Sequence, residues 1–159
     1  MAQSERHRRQ QRVRETPSTR YSSSRPYEAV AGVLLDSDVV IEILRGRAQT
    51  VADLRATEAQ GISTYCCAIA WAEVTAGVRS GEEALTEAFF NARGEVVIDA
   101  ETGRRAGGYL SRYGPSHGVE MADALVAAAA STTGLHLWTL NRKHYPMEDL
   151  RLYAPPRGR

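Results

Sequence analysis

The sequence predicts an α/β protein built on a parallel sheet. Four short apolar runs of strand length alternate with longer segments that suit helices, and strands separated by helices form βαβ units whose strands are parallel. The chain has 159 residues, of which 43% are hydrophobic and 25% are charged. These values are typical of one globular domain that is large enough to bury a core.

The first predicted strand carries the strongest functional signal. Residues 33–35 are apolar, the run ends on Asp36, and a second apolar run of helix length begins at Val39. An acid at the carboxyl end of a buried strand points into the crevice where α/β sheets place their sites. The alternative is that Asp36 or Ser37 only caps the helix, which leaves the second acid, Asp38, without a role.

The other elements follow from apolar periodicity and from the glycines and prolines between segments. Helices are predicted over Val39 to about Arg45, Ala48–Gln60, Ala68–Val78, Glu82 to about Ala92, Glu101 to about Tyr113, and Met121–Thr133. Strands are predicted over residues 62–65, 96–98 and 135–140, with a short edge strand over 151–153 and a loop over 114–118.

Charge separates a basic tail from the rest of the chain. Residues 1–28 hold seven Arg and three Glu, a net charge of +4, whereas the remainder carries −3. The tail has too few aliphatic residues to offset the entropy cost of ordering, so residues 1–28 are predicted to be disordered and residues 30–154 to form the domain. Such a tail can contact nucleic-acid phosphates; the alternative is a solvated leader.

Cysteine content and hydropathy favour a cytoplasmic protein. The two cysteines, Cys66 and Cys67, are adjacent and cannot join distant segments, which favours a reducing compartment and gives no zinc spacing. No apolar run approaches the ~20 residues that a membrane span needs, and the amino terminus lacks the apolar region of a signal peptide. No membrane partner is expected.

Two apolar helices each carry one unexpected acid. Glu73 is the only charged residue between residues 68 and 78, and Asp123 is the only one between residues 121 and 138 if His136 is neutral. Helices this apolar are expected to be buried, where a lone carboxylate is costly unless it is paired. The alternatives are that Asp123 complements its helix dipole and that Glu73 lies on the surface.

Asp36, Glu73 and Asp123 predict a metal site if they converge. Two carboxylates ~4 Å apart repel by roughly 4 kcal/mol at an effective dielectric constant of about 20, and the only lysine of the chain is Lys143. Three carboxylates in one crevice therefore require a divalent cation. Ligands that are all oxygen favour Mg²⁺, or Mn²⁺, over zinc.

Four blocks stand in order along the chain: Leu34–Asp38, Ala72–Gly77, Ala122–Ala128 and Thr139–Tyr145. Their residues and separations resemble the PIN domain and, within that superfamily, the VapC-type toxins of bacterial toxin–antitoxin pairs. The resemblance extends over about Val33 to Tyr153. It implies a three-layer α/β/α sandwich with a small parallel sheet and a magnesium-dependent endoribonuclease, which hydrolyses RNA phosphodiesters with a metal-activated water.

Carried over residue by residue, the resemblance makes Asp36, Glu73 and Asp123 both catalytic residues and metal ligands. Asn141 matches a fourth catalytic position, where relatives carry Asp or Asn after a Thr or Ser, which is Thr139 here. Because Asn is neutral and a weaker ligand than Asp, the resemblance leaves open whether one or two metal ions bind.

Further residues are expected around these ligands. Those expected to support the metal ligands are Asp38, Thr139 and Glu120, and the candidate RNA contacts at the rim are Arg142, Lys143 and Arg45. The alternative for each basic residue is an ordinary solvated charge. The resemblance also implies a homodimer and a cognate antitoxin, whose carboxyl-terminal segment is expected to lie against the two helices spanning residues 39–60.

Two alternatives compete with the ribonuclease. Asp36, Ser37 and Asp38 after a buried strand also fit the first motif of haloacid-dehalogenase-like phosphatases, with Asp36 as the nucleophile. That family needs a lysine in mid-chain and a late acidic cluster, whereas here the one lysine is Lys143 and the cluster is missing. The second alternative is a PIN-like scaffold that binds RNA or a partner without cleavage, supported only by Asn141.

Overall fold

The computed structural model describes residues 32–156, in which helices cover both faces of a four-stranded parallel sheet. In chain order the elements are β1 (Gly32–Leu35), α1 (Ser37–Leu44), α2 (Ala48–Ala59), β2 (Ser63–Cys67), α3 (Ala68–Ala76), α4 (Glu83–Asn91), β3 (Gly94–Val96), α5 (Ala100–His117), α6 (Met121–Thr133) and β4 (His136–Trp138), followed by a 3₁₀ turn (Arg142–His144). The strand order is β3-β2-β1-β4. The predicted tail and the predicted start of the domain lie outside the described residues.

The central strand β1 contributes to both layers of the core. Leu34 packs with α5 and α6, whereas Val33 and Leu35 pack with α1 to α4. All three side chains are at most 1% exposed, as expected for a parallel strand with helices on both faces. The predicted three-layer α/β/α sandwich is therefore confirmed, and the end of β1 lies inside the protein.

Two alanine-rich helices differ in burial. In α6, Ala124 and every residue from Val126 to Ala130 are buried. In α3, only Ala70 and Val74 are buried, and Glu73 is exposed. The expectation that both helices are buried is therefore wrong for α3, because one side of this helix packs inward and no other described element covers its outer side.

Helix α5 continues through the segment predicted to be a loop. Gly114 and Pro115 lie in its last turns, and the helix ends at Gly118, whose φ is +63° and whose N–H donates to the Gly114 carbonyl at 3.0 Å. Tyr113 is buried in the core. Its packing outweighs the turn preference of the residues that follow.

Strand β3 begins two residues earlier than predicted. Gly94 pairs with Tyr65 of β2, and a Cβ at position 94 would collide with the Tyr65 ring. Glycine is therefore required at a position that the apolar run alone did not include.

The predicted edge strand over residues 151–153 is a single parallel bridge between Leu152 and Leu137. The Leu137 N–H donates to the Arg151 carbonyl at 2.8 Å, and the Tyr153 N–H donates to the Leu137 carbonyl at 2.7 Å. The chain thus covers the open side of β4 after the 3₁₀ turn. Across residues 32–156, no helix combines the length and the hydropathy needed to cross a bilayer.

Candidate metal site at the carboxyl ends of the central strands

An acidic crevice of about 130 Å³ opens where β1 and β4 end. It is lined by Asp36, Ser37, Asp38, Glu73, Ala122, Asp123, Val126, Asn141 and Tyr145. The ends of the two strands are joined by the Asp36 N–H, which donates to the Trp138 carbonyl at 2.9 Å. The structure therefore brings together Asp36, Glu73, Asp123 and Asn141, and no basic side chain among the described residues lines this crevice.

Asp36 is the buried acid of the crevice, with only 7% of its surface exposed. Its Oδ1 accepts a hydrogen bond from the Ser37 N–H at 2.9 Å, and its Oδ2 accepts one from the Tyr145 hydroxyl at 2.8 Å. Burial, together with the nearby charge of Asp38, raises the pKa of Asp36 to about 6, although these hydrogen bonds act in the opposite direction. The site therefore favours a proton or a cation on this carboxylate.

Asp38 joins the first turn of α1 to the segment after β4. Its Oδ2 accepts hydrogen bonds from the Leu140 N–H at 3.0 Å and from the Thr139 hydroxyl at 3.3 Å. Its Oδ1 is buried and has no hydrogen-bond partner in the part of the chain that the structure describes. Burial raises the pKa of Asp38 as well. A buried carboxylate oxygen without a donor is a position where a cation is favourable.

Asp123 lies in the first turn of α6 and is half-buried. Its Oδ2 accepts a hydrogen bond from the Glu120 N–H at 3.1 Å and lies 3.5 Å from the His144 Nδ1. That ring nitrogen is also 3.0 Å from the Asn141 Nδ2. When the Asn141 amide nitrogen donates to His144, the amide oxygen remains available as an acceptor for another group.

Glu73 differs from the other three acids. It lies on the exposed side of α3 and forms no hydrogen bond with another described residue. The crevice therefore has three carboxylates anchored by hydrogen bonds, Asp36, Asp38 and Asp123, and one that is free to adjust.

The donor set fits a hard divalent cation. Four carboxylates and one amide surround the crevice, and such oxygen ligands are typical of Mg²⁺ and Mn²⁺ sites. As the side chains stand, no three His, Cys, Asp or Glu residues within the range 32–156 are close enough to hold a metal ion. Binding of an ion would therefore require acidic side chains around the crevice to move closer together.

Several residues predicted near the site lie outside the crevice. Arg45 lies on a separate groove between α1, α3 and α4, and Lys143 is exposed without lining the crevice. Arg142 lines a neighbouring cavity, where its guanidinium donates to the Tyr153 carbonyl at 2.9 Å. Glu120 does not line the crevice but forms a capping box with Asp123, in which its backbone N–H donates to the Asp123 carboxylate and its side chain accepts from the Asp123 N–H.

Tyr145 is the site residue to which the sequence analysis gave no role. It is buried, lines the crevice and donates to Asp36 across 109 positions of the chain. Burial and the charge of Asp36 raise the pKa of Tyr145, so its hydroxyl stays protonated and acts as a donor. The available signal was that a buried tyrosine hydroxyl needs a hydrogen-bond partner.

A parallel sheet covered on both faces, with an acidic crevice where its central strands end, defines an α/β protein with a candidate site at the edge of the sheet. A family model described as PIN domain matches residues 33–149. The chain therefore belongs to the PIN domain family, and the family predicted from the sequence is confirmed. The haloacid-dehalogenase-like alternative is not favoured, because the match is to another family and Lys143 does not line the crevice.

The relatives and similar structures agree with this assignment. Ribonuclease VapC19 of Mycobacterium tuberculosis is 32% identical over 115 residues, which cover 72% of this chain and 92% of that protein. Ribonuclease VapC10 of the same organism is 34% identical over 119 residues, which cover 72% of this chain and 86% of that protein.

Among solved structures, VapBC2 from Rickettsia felis bound to a DNA fragment gives a TM-score of 0.64 at 19% identity, covering 76% of this chain and 96% of that one. FitAcB from Neisseria gonorrhoeae gives a TM-score of 0.59 at 26% identity, and the match covers 77% of this chain and 97% of that one. At 19% identity the first likeness shows the fold alone.

Proposed function

We propose that this chain is an endoribonuclease that depends on a divalent metal ion, with Mg²⁺ as the natural ion and Mn²⁺ as a substitute. The observation that carries the proposal is the buried carboxylate of Asp36, beside the unpartnered oxygen of Asp38, in a crevice that Glu73 and Asp123 also line. Relatives named ribonuclease that span most of the domain support RNA as the substrate.

Asp36, Glu73 and Asp123 would hold the ion. A bound divalent cation supplies a more acidic water and stabilises the charge that develops on a phosphodiester in the transition state. Glu73 is the acid best suited to accept a proton from the attacking water, because it is exposed and no hydrogen bond to a described residue occupies its carboxylate. The products would carry a 5′ phosphate and a 3′ hydroxyl.

The remaining residues would hold these groups in place. Tyr145 orients Asp36, and Asp38 fixes the backbone that presents Asn141. The Asn141 amide would orient a water molecule or a phosphate oxygen. Because the crevice repels RNA, the basic residues Arg142 and Lys143 on the adjoining 3₁₀ turn are the candidate phosphate contacts.

Cleavage assays on the full chain test this function. A mixture of structured and single-stranded RNAs should be cut with Mg²⁺ or Mn²⁺ and left intact with EDTA. Asp36→Asn should reduce cleavage at least ~100-fold, since it removes a charge needed in the transition state, and should weaken Mg²⁺ binding in calorimetry. Glu87→Gln, an exposed acid on α4, is the matched control and should retain wild-type activity. Cleavage that persists in EDTA or in Asp36→Asn would refute the proposal, and RNA binding without cleavage would favour the non-cleaving scaffold.

We further propose that the chain is the toxin of a VapBC-type pair that acts in the cytoplasm as a homodimer. An apolar groove between α1, α3 and α4 is lined by Ile41, Leu44, Val74, Val78 and Leu85, and Leu85 is 61% exposed. This groove is a candidate site for the carboxyl-terminal segment of an antitoxin, and it includes α1, one of the two helices predicted as the docking surface. The structures that resemble the chain include toxin–antitoxin complexes.

Growth and mass measurements test the toxin and dimer proposals. Induction of the wild-type chain should arrest bacterial growth, whereas induction of Asp36→Asn to the same level should not. Light scattering of the purified chain should give twice the mass of one 17.5 kDa chain. Growth that continues with active enzyme present would exclude the toxin role, and a monomer mass would exclude the dimer.

A further inference from the structure

A second cavity, of about 450 Å³, lies beside α5 and α6 and shares no lining residue with the acidic crevice. Its apolar wall includes Tyr65, Leu135 and Val97, and Val97 is 68% exposed. Asp123 in the first turn of α6 lines the crevice, and Thr133 at the end of the same helix lines this cavity. Ten helical residues place the two sites about 15 Å apart.

The chain enters the sheet at the wall of this cavity. Gly32 is the first described residue of β1, and a Cβ at that position would lie 2.6 Å from the Tyr65 ring and 2.9 Å from the Leu135 side chain. Tyr65 and Leu135 both line the cavity. Gly32, where the described chain begins, therefore lies in contact range of the cavity wall.

Charge in the cavity complements the segment that leads to it. Three acids line it, Glu95, Asp99 and Glu101. Asp99 is used at the start of α5, where its Oδ1 accepts from the Thr102 N–H at 2.8 Å. The carboxylates of Glu95 and Glu101 form no ion pair with any basic residue between positions 32 and 156.

The segment before Gly32 has both kinds of group that the cavity would accept. Residues 1–28 carry a net charge of +4 from seven Arg and three Glu, and the last two of those arginines are Arg20 and Arg25. Tyr27 and Val30 follow, within five residues of Gly32. In the sequence, these apolar residues are thus nearer to Gly32 than the two arginines are.

We propose that residues 20–31 of this chain dock in the cavity, with Tyr27 and Val30 against its apolar wall and with Arg20 and Arg25 facing Glu95 and Glu101. The apolar contacts fix the end of the segment next to the sheet, and the ion pairs hold the part further from it. Docking keeps the basic segment at the far end of α6 from the acidic crevice, which it would otherwise be attracted to.

Hydrogen exchange of the full chain at low salt, measured by mass spectrometry, tests the proposal. Amides of residues 27–31 should exchange more slowly than an unstructured chain of the same sequence, equally at low and high protein concentration. Glu95→Gln/Glu101→Gln should reduce that protection about five-fold, as expected from the loss of two surface ion pairs. The matched control is Glu83→Gln/Glu87→Gln, which removes two exposed charges from α4 on the other face of the sheet and should leave the protection unchanged.

A charge swap separates docking from a general effect of the substitutions. Arg20→Glu/Arg25→Glu should lose the protection, and adding Glu95→Arg/Glu101→Arg to that variant should restore it. Three results would each overturn the proposal: exchange of residues 27–31 at the unstructured rate in the wild type, protection that appears only when RNA is added, and protection that depends on protein concentration. The last two would assign the segment to RNA or to a second copy of the chain.

Discussion

Helices α6 and α3 each present one acid to the crevice, yet the protein holds the two helices differently. Six residues of α6 are buried, and its Asp123 is fixed by the Glu120 N–H. Only two residues of α3 are buried, and Glu73 is exposed. A high alanine content is thus compatible with either a core helix or a surface helix. Whether such a helix is buried depends on which neighbouring elements pack against it. The crevice consequently has an anchored side and an adjustable side.

The largest expected difference between the two helices appears when one charge is placed in each of them. Ala128→Asp in α6 should lower the free energy of unfolding by about 4 kcal/mol or more, because the residue is 0% exposed and the new carboxylate would have no partner. Ala72→Asp on the exposed side of α3 should change it by no more than about 0.5 kcal/mol. Urea denaturation measures both, and comparable losses in the two variants would show that the outer side of α3 is covered in solution.

The anchored side can be probed through pH. The folded chain raises the pKa of Asp36 from 3.8 to about 6, so the folded protein retains a proton that the unfolded chain releases, and folding weakens as pH rises from about 4 to about 6. Asn at this position has no charge to bury. Without divalent ions, the stability of Asp36→Asn relative to the wild type should therefore increase by on the order of 3 kcal/mol between pH 4 and pH 7. A difference that stays constant over this range would contradict the raised pKa.

The hydrogen bond from Tyr145 is the next test of the anchored side. Tyr145→Phe should cost about 2 kcal/mol above pH 7, because the ionised Asp36 loses a buried donor. The pKa of Asp36 should also rise further, since this hydrogen bond lowers it; carboxyl NMR titration measures that change. Tyr113→Phe is the control, because Tyr113 is also buried and forms no hydroxyl hydrogen bond with a described residue. If both variants titrate alike, Tyr145 does not position Asp36.

The smallest expected effect comes from removing the acid of each helix in turn. Asp123→Ala should destabilise the fold by about 1 kcal/mol, since it removes the acceptor of the Glu120 N–H at the start of α6. Glu73→Ala should leave thermal stability unchanged within about 0.5 kcal/mol, because no hydrogen bond depends on it in the described structure. Differential scanning calorimetry without divalent ions measures both, and a larger loss for Glu73→Ala would reverse the assignment of anchored and adjustable sides.

Much of the fold was predictable because its signals are local. The apolar run of β1, the acid that ends it and the glycine that ends α6 are all evident in short windows of sequence. The position of Asp36 was predictable because an acid that ends a buried parallel strand points into the crevice at the edge of the sheet. That Glu73 and Asp123 lie at the same crevice was implied only by the resemblance to the PIN domain, since the residues alone left their convergence open. Their roles in metal binding and catalysis stay predictions.

The remaining features depended on distant contacts. The extension of α5 past Gly114 depends on the burial of Tyr113, and the start of β3 depends on the Tyr65 ring from another strand. Glu73 is exposed because no described element packs over the outer side of α3. The role of Tyr145 depends on a partner 109 positions away. No window of sequence contains both members of such pairs.

The bond between Tyr145 and Asp36 also sets when the crevice is completed during synthesis. Asp36 leaves the ribosome more than one hundred residues before Tyr145, whose hydroxyl supports it. A nascent chain that stops short of residue 145 lacks that hydroxyl, and one that stops short of residue 141 also lacks Asn141, so incomplete translation products would lack a finished site. A protein of this kind would be harmless to the cell that makes it until almost the whole domain has been translated.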